Sequence, residues 1–179
     1  MAALALVAVG AFAGATIVPS TKVTRTPVAV AAPPVVVAAP QLVSRPPARC
    51  PFPTALRPAF EDAARDSNLP PALLYAVAKI ESNLRPDVVS ESGARGVLQL
   101  MPTTGQMLAL DIDEPRANVL AGARYLRQMF DRFRSSDMAL AAYNAGPTAV
   151  ERAGGSPSAG VVAYVVKVTA LWRSVAGCR

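Results

Sequence analysis

The sequence, 179 residues long, contains no histidine. This absence excludes Ser-His-Asp and Cys-His catalytic triads, His-ligated zinc and proton relays that run through imidazole. The chain also lacks the GxxxxGK(S/T) and GxGxxG patterns, so neither of the two familiar glycine-rich phosphate loops is present. An enzyme built from this sequence must therefore work mainly with carboxylates, hydroxyls and amides.

The excess of basic over acidic residues is concentrated at the start of the chain. The net charge is +6, but four of the 18 basic residues and none of the 12 acidic residues lie within residues 1–50, which leaves +2 for the rest. In that remainder, acids follow arginines at the i, i+4 spacing of helix surface pairs, as in Arg57/Glu61 and Arg127/Asp131. A nucleic-acid-binding face needs clustered positive charge, so we expect no nucleic acid partner.

An uninterrupted apolar run, residues 2–18, opens the sequence. Its length fits a signal-peptide core or a short membrane span, although the basic residues that usually precede such a core are missing. Residues 1–18 are therefore predicted to be a signal peptide or an uncleaved anchor in the inner membrane. Either alternative makes the chain an exported or periplasmic protein.

Residues 19–49 are rich in proline, valine and alanine. Repeated proline blocks helices and central strands, so this segment is predicted to be a disordered linker between the N-terminal run and the folded part. The prolines include Pro27, Pro33, Pro34, Pro40, Pro46 and Pro47.

Residues 50–179 carry apolar stripes of helical period, and few runs alternate with the period of a strand. This pattern predicts a mainly α, compact globule of short helices. Ser67 or Asn68 is predicted to cap the second helix, and Asp137 is predicted to cap the fifth. The predicted helices are Thr54–Asp66, Pro71–Leu84, Pro102–Leu110, a long one from Pro115, a short one after Asp137, and Ala159–Val175.

The two cysteines stand at the ends of this folded part, Cys50 at its start and Cys178 near its end. A disulfide between them would close a loop of almost the whole domain and would imply an oxidising compartment. Two unrelated buried thiols are the alternative.

A single acidic residue, Glu81, continues an apolar helix stripe. Leu74, Val77, Ala78 and Glu81 follow the i, i+3, i+4, i+7 spacing of one helix face. A carboxyl group in apolar surroundings resists ionisation, so its pKa is expected to rise and the group is suited to act as a general acid. The alternative is a frayed helix end at which Glu81 points into water.

Five short motifs along residues 51–176 occur in the order found in SLT-type lytic transglycosylases, bacterial enzymes that have a goose-lysozyme-like helical fold and cleave peptidoglycan. The chain resembles this family over essentially its whole folded part. The motifs are Glu81-Ser82 with Ser90, Gly93–Pro102, Asn118–Gly122 leading to Tyr125-Leu126, Ala141–Gly146, and Tyr164–Val168.

The resemblance assigns roles to individual residues. Glu81 matches the catalytic acid/base, and Ser90 matches a loop hydroxyl that helps to orient the N-acetyl group of the substrate. Tyr143 matches a tyrosine whose hydroxyl lies near the catalytic carboxylate. The remaining matches line or close the sugar cleft, and they are Gln99, Met101, Asn144 and Tyr164.

The mechanism implied by the family needs one carboxylate, no metal and no cofactor. Glu81 would protonate the oxygen between MurNAc and GlcNAc, and the N-acetyl group of MurNAc would stabilise the developing charge. Glu81 would then take the proton of the C6 hydroxyl as a 1,6-anhydro ring closes. The second carboxylate of ordinary glycosidases has no convincing counterpart, because Asp87 and Glu91 are expected to be solvated.

Two departures from the family pattern are visible. Leu98 replaces the usual methionine of the Gly-Leu-Met-Gln motif, an exchange of similar volume. Gly160 and Val161 stand where the family often has a Glu-Thr pair before Tyr164, which puts hydrogen-bond support from that helix start in doubt.

Three other functions remain open on the sequence alone. A muramidase on the same fold would use water in place of the C6 hydroxyl. A non-catalytic module would only bind glycan strands. A scaffold within an envelope-spanning machine would need a protein partner, which the sequence does not identify.

Overall fold

The computed structural model describes residues 48–179, which form seven helices. The predicted signal peptide or anchor, residues 1–18, and all but the last two residues of the predicted linker lie outside the described residues. The helices are α1 (Arg57–Ser67), α2 (Pro71–Ser82), α3 (Pro102–Leu108), α4 (Pro115–Phe133), α5 (Ser136–Ala145), α6 (Pro147–Ala153) and α7 (Ala159–Ser174). The predicted all-α class is confirmed.

Proline stands in the first turn of five of these helices, α1, α2, α3, α4 and α6. Proline fits there because its fixed φ suits a helix and its missing N–H would have no partner in the first turn. Pro71, Pro102 and Pro115 each occupy the first position of the helix that the sequence predicted to begin there.

Two of the predicted helix caps are wrong. Pro70 is the N-cap of α2 and makes no side-chain cap bond, whereas Asn68 ends α1 in the left-handed region, with a φ of 50°. The cap of α5 is Ser135, whose hydroxyl accepts from the Met138 N–H, and Asp137 lies in the first turn beyond it. A third difference is that Pro147–Ala153 forms the short helix α6, where the sequence predicts no helix but only a turn over Thr148–Ala153.

Two central helices, α2 and α5, contain continuous buried runs, Ala72–Ala78 and Ala139–Tyr143. A helix that is apolar on all sides must be surrounded by others. Helix α2 packs against α1 and α7, while α5 packs against α4, α6 and α7. The last turn of α2, which carries Glu81, is thereby brought towards α7.

The segment between α2 and α3 folds back on itself through single antiparallel bridges that pair Arg95 with Val89 and with Leu100. Two glycines allow it to lie tightly on α4. A Cβ on Gly96, whose φ is +75°, would lie 2.4 Å from Nδ2 of Asn118, and a Cβ on Gly122 would lie 2.4 Å from Cδ1 of Leu98. Both separations are too short for a side chain, so the segment depends on glycine at both positions.

A disulfide joins Cys50 to Cys178 across a sequence separation of 128 residues. The Cys50 N–H donates to the Arg179 carbonyl at 3.1 Å, and the Arg179 N–H donates to the Ala48 carbonyl at 3.0 Å. The guanidinium of Arg57 donates to the Cys50 carbonyl at 2.9 Å. The segment that follows α7 is thus tied covalently to the segment that precedes α1.

Within residues 48–179, none of the helices has both the length and the apolar character required to cross a membrane.

Candidate active site

An open cavity of about 390 Å³ lies between the segment that follows α2 and the helices α3, α4 and α5. Most of the residues singled out in the sequence line this cavity. They are Glu81, Ser90, Gln99, Met101, Tyr143 and Asn144.

Glu81 lies in the last turn of α2, half-buried in the wall of the cavity. Its Oε1 accepts a hydrogen bond of 2.7 Å from the Tyr164 hydroxyl on α7. Burial raises the pKa of Glu81 from 4.5 to about 7, and the bond from Tyr164 opposes this rise because it stabilises the ionised form. At neutral pH the carboxyl group therefore exists in both protonation states. This property suits a group that first gives a proton and then takes one.

The helix end next to Glu81 is well ordered by its backbone bonds. Asn83 and Leu84 both adopt left-handed φ angles, of 58° and 65°. Their N–H groups donate to the carbonyls of Lys79 and Ala78 at 3.1 and 3.2 Å. These bonds satisfy carbonyls near the end of the helix and so hold its last turn closed. The structure thus contradicts the alternative of a frayed end at Glu81.

Tyr143 and Tyr164 both lie close enough to Glu81 for its charge to act on them, but their hydroxyls have different hydrogen-bond partners. The Tyr143 hydroxyl donates to the Leu98 carbonyl at 2.7 Å, and the hydroxyl bonded to Glu81 is that of Tyr164. The reason is the packing of the helices: α7 lies against α2 and presents Tyr164 to Glu81, whereas α5 presents Tyr143 to the segment around Leu98.

Both phenols remain hydrogen-bond donors at neutral pH. Burial raises the pKa of each hydroxyl well above 10, and the negative charge of Glu81 raises both pKa values further. Each hydroxyl therefore keeps its proton, and Tyr164 continues to donate to Glu81 when Glu81 ionises.

Ser90 and Gln99 face the cavity and also hold the segment that contains them. The Ser90 Oγ accepts from the Ala94 N–H at 2.9 Å. The Gln99 Nε2 donates to the carbonyls of Val88 and Gly96 at 3.0 and 2.9 Å. Both hydrogen bonds use the side-chain nitrogen of Gln99, so its side-chain amide oxygen, Oε1, remains an acceptor for a ligand in the cavity.

Met101 and Asn144 line the cavity, and both residues are exposed. Met101 is 41% exposed, although it is a large apolar residue. An apolar surface next to a free amide suits a ligand that has both apolar faces and hydrogen-bonding groups, as sugars do.

Three of the cavity residues that received no role from the sequence have hydroxyl groups: Ser92, Thr104 and Tyr125. Tyr125 is half-buried, and its ring lies 5.5 Å from that of Tyr143, tilted by 50°. The sequence feature that could have identified Tyr125 is its position just after the motif Asn118–Gly122. That position does not distinguish a core residue from a site residue, because tyrosine serves in both.

Glu81 is the only carboxylate that lines the cavity within residues 48–179. Asp87 and Glu91 are exposed, as the sequence indicated, and neither lines it. The geometry of two opposed carboxylates, on which ordinary glycosidases rely, is therefore not found around this cavity. Chemistry at this site has one acid/base group, supported by phenols, hydroxyls and amides.

The chain belongs to the transglycosylase SLT domain family, whose model matches residues 58–161. Among its relatives is the "Transglycosylase" of Enterobacteria phage PRD1, 38% identical over 85 residues, which cover 47% of this chain and 32% of the relative. Another is the soluble lytic murein transglycosylase of Salmonella typhimurium, 33% identical over 113 residues, which cover 54% of this chain and 17% of the relative. The chain thus spans a third or less of the length of these relatives.

Two solved structures of lytic transglycosylases have a fold similar to that of this chain. The 70 kDa soluble lytic transglycosylase of Escherichia coli superposes with a TM-score of 0.60 at 28% identity, over 71% of this chain and 25% of that one. An inactive mutant of lytic transglycosylase Slt from Pseudomonas aeruginosa superposes with a TM-score of 0.60 at 25% identity, over 72% and 25% of the two chains. These similarities confirm the predicted lysozyme-like helical fold.

Proposed function

We propose that this chain is a peptidoglycan lytic transglycosylase. The observation that carries the proposal is the single half-buried carboxylate of Glu81 in the cavity wall, with a pKa raised to about 7. Membership of the SLT family and the names of the murein transglycosylases among its relatives support the substrate class. The bond cleaved is the β-1,4 bond between MurNAc and GlcNAc.

Glu81 supplies both proton transfers in this mechanism. As the glycosidic C–O bond breaks, the protonated carboxyl group gives its proton to the leaving oxygen of GlcNAc. The carbonyl oxygen of the MurNAc N-acetyl group stabilises the positive charge at C1. The ionised carboxylate then takes the proton of the MurNAc C6 hydroxyl, whose oxygen bonds to C1. The products are a shorter strand and a 1,6-anhydro-MurNAc end, and no water is consumed.

The surrounding residues serve this sequence of steps by orientation. Tyr164 donates to Glu81 and stabilises the carboxylate formed after the first proton transfer. The Gln99 carbonyl oxygen and the Asn144 amide offer hydrogen bonds to sugar hydroxyl and N-acetyl groups. Tyr125 adds a ring surface beside them, and Ser90 contributes a hydroxyl from the opposite segment.

The proposal places the protein outside the cytoplasm, where its substrate lies. The Cys50–Cys178 disulfide supports this location, because such bonds persist in oxidising compartments. Attachment to the inner membrane through residues 2–18 belongs to the same proposal. An envelope-machine partner also remains a proposal, without a named candidate.

The test is digestion of purified peptidoglycan by the full chain, followed by weighing of the released fragments. We expect fragments with 1,6-anhydro ends, which are lighter by one water than the corresponding reducing ends. Reducing-end fragments would make the protein a muramidase. Retention of the chain on peptidoglycan without any release would identify a binding module.

A further inference from the structure

The last residue of α2, Ser82, is almost fully buried beside Glu81, with 4% of its surface exposed. Its Oγ donates to the Val97 carbonyl at 2.7 Å and lies 3.3 Å from the Ala78 carbonyl in its own helix. A hydroxyl has one proton to give, so the shorter contact, to Val97, is the principal bond. This bond joins the end of α2 to a segment 15 residues further along the chain.

The acceptor of this bond belongs to a segment that other helices hold in place. The Leu98 N–H donates to Oδ1 of Asn118 on α4 at 2.9 Å, and the Leu98 carbonyl accepts from Tyr143 on α5 at 2.7 Å. The side chains of Val97 and Leu98 are both buried. Hydrogen bonds to α4 and α5 thus hold the segment around the Val97 carbonyl in place. Helix α2 is hydrogen-bonded to this carbonyl through Ser82.

The consequence concerns Glu81, which directly precedes Ser82. Helix ends are the parts of a helix that open most readily, and the carboxyl group of Glu81 must stay in one place to meet the Tyr164 hydroxyl. We propose that Ser82 is a positioning residue, whose bond to Val97 holds the last turn of α2 so that the Glu81 carboxyl group remains in the cavity wall.

The chain contains a matched serine that separates positioning from ordinary helix stability. Ser67 is the last residue of α1, and 4% of its surface is exposed, as for Ser82. Its Oγ donates to the Ala63 carbonyl at 2.6 Å, within its own helix. Ser67→Ala therefore removes a buried helix-terminal hydroxyl without touching the segment around Val97.

The first test compares the kinetics of Ser82→Ala and Ser67→Ala in the full chain on peptidoglycan strands. We expect Ser82→Ala to lower kcat about 10- to 100-fold with KM within about twofold of wild type, because a misplaced acid slows the reaction without weakening binding. Ser67→Ala is expected to leave both within about twofold. Ser82→Thr, which keeps the hydroxyl, is expected to restore most of kcat, and a loss equal to that of the alanine variant would overturn the assignment.

The second test does not depend on activity. The proposal rests on the proposed function only for its effect on kcat, so the titration of Glu81 is followed directly by carbon-13 NMR of its side-chain carboxyl carbon. The titratable groups that face Glu81 are the phenols of Tyr164 on α7 and Tyr143 on α5. We expect the pKa of Glu81 to fall by about half a unit or more in Ser82→Ala, because a loosened turn admits water and the lost burial outweighs any lost bond from Tyr164, and to stay unchanged in Ser67→Ala.

The two readouts separate the possible failures. Equal titration of Glu81 in Ser82→Ala and in Ser67→Ala would overturn the positioning role, whatever the activity. A shift in Ser82→Ala alone, in a protein that releases no fragments, would preserve the positioning role and remove the enzymatic function instead.

Discussion

Replacing Glu81 by glutamine is expected to lower the release of peptidoglycan fragments at least about 10³-fold, within the range that general acid–base groups contribute to catalysis. Glutamine has nearly the same volume and keeps an oxygen that can accept from the Tyr164 hydroxyl, so the cavity is preserved. It has no proton of suitable acidity to give to the glycosidic oxygen and cannot take one from the C6 hydroxyl. Fragment release is measured under identical conditions for the two proteins.

The matched control is Glu91→Gln, which makes the same chemical change at an exposed loop position between Ser90 and Ser92. We expect it to retain activity within about twofold, because Glu91 does not line the cavity. Retention of more than a tenth of the wild-type activity by Glu81→Gln would contradict the assignment of Glu81. A loss in Glu91→Gln as large as that in Glu81→Gln would mean that net charge, and not the placed carboxyl group, controls the rate.

Removal of the disulfide is expected to have the largest effect on stability. The bond closes a loop with a separation of 128 residues between Cys50 and Cys178. Chain entropy assigns such a loop roughly 5 kcal/mol, and we expect a loss of about 4 kcal/mol because residual structure in the unfolded chain reduces the entropy that the bond removes. The measurement is urea unfolding of the Cys50→Ala/Cys178→Ala double variant against wild type.

Reductant provides the control for this experiment. Wild type treated with a thiol reductant is expected to unfold at the same urea concentration as the double variant, and the double variant is expected not to respond to reductant. Identical unfolding of oxidised wild type and the double variant would show that the bond contributes no stability.

The helices could be predicted from the sequence because their signals are local. Proline in the first turn and a stripe of period 3.6 fix the start and the face of α2 and α4 within the chain itself. The buried position of Glu81 follows from the same periodicity, because it continues the face of Val77 and Ala78. The caps were less predictable, since Ser67, Asn68 and Asp137 all have the chemistry of an N-cap but other residues occupy those positions.

The contacts within the site could not be predicted in the same way. The bond from Tyr164 to Glu81 joins residues 83 positions apart, and the bond from Tyr143 to Leu98 joins residues 45 apart. Which tyrosine reaches Glu81 depends on the packing of α7 against α2 and of α5 against α7, which no local pattern records. The hydrogen bond between Ser82 and Val97 also depends on packing between distant segments, so the sequence alone left Ser82 without a structural role.

The dependence of kcat/KM on pH tests most directly the claim that burial keeps Glu81 protonated for the first proton transfer. The pKa of Glu81 is raised to about 7, and only the protonated form can act as the acid, so the active fraction is nearly complete at low pH and decreases above pH 7. We expect kcat/KM to fall about tenfold for each pH unit above about 7. A descending limb centred near pH 4.5, the ordinary value for a glutamate, would contradict the account, because Glu81 would then behave as a solvated carboxylate.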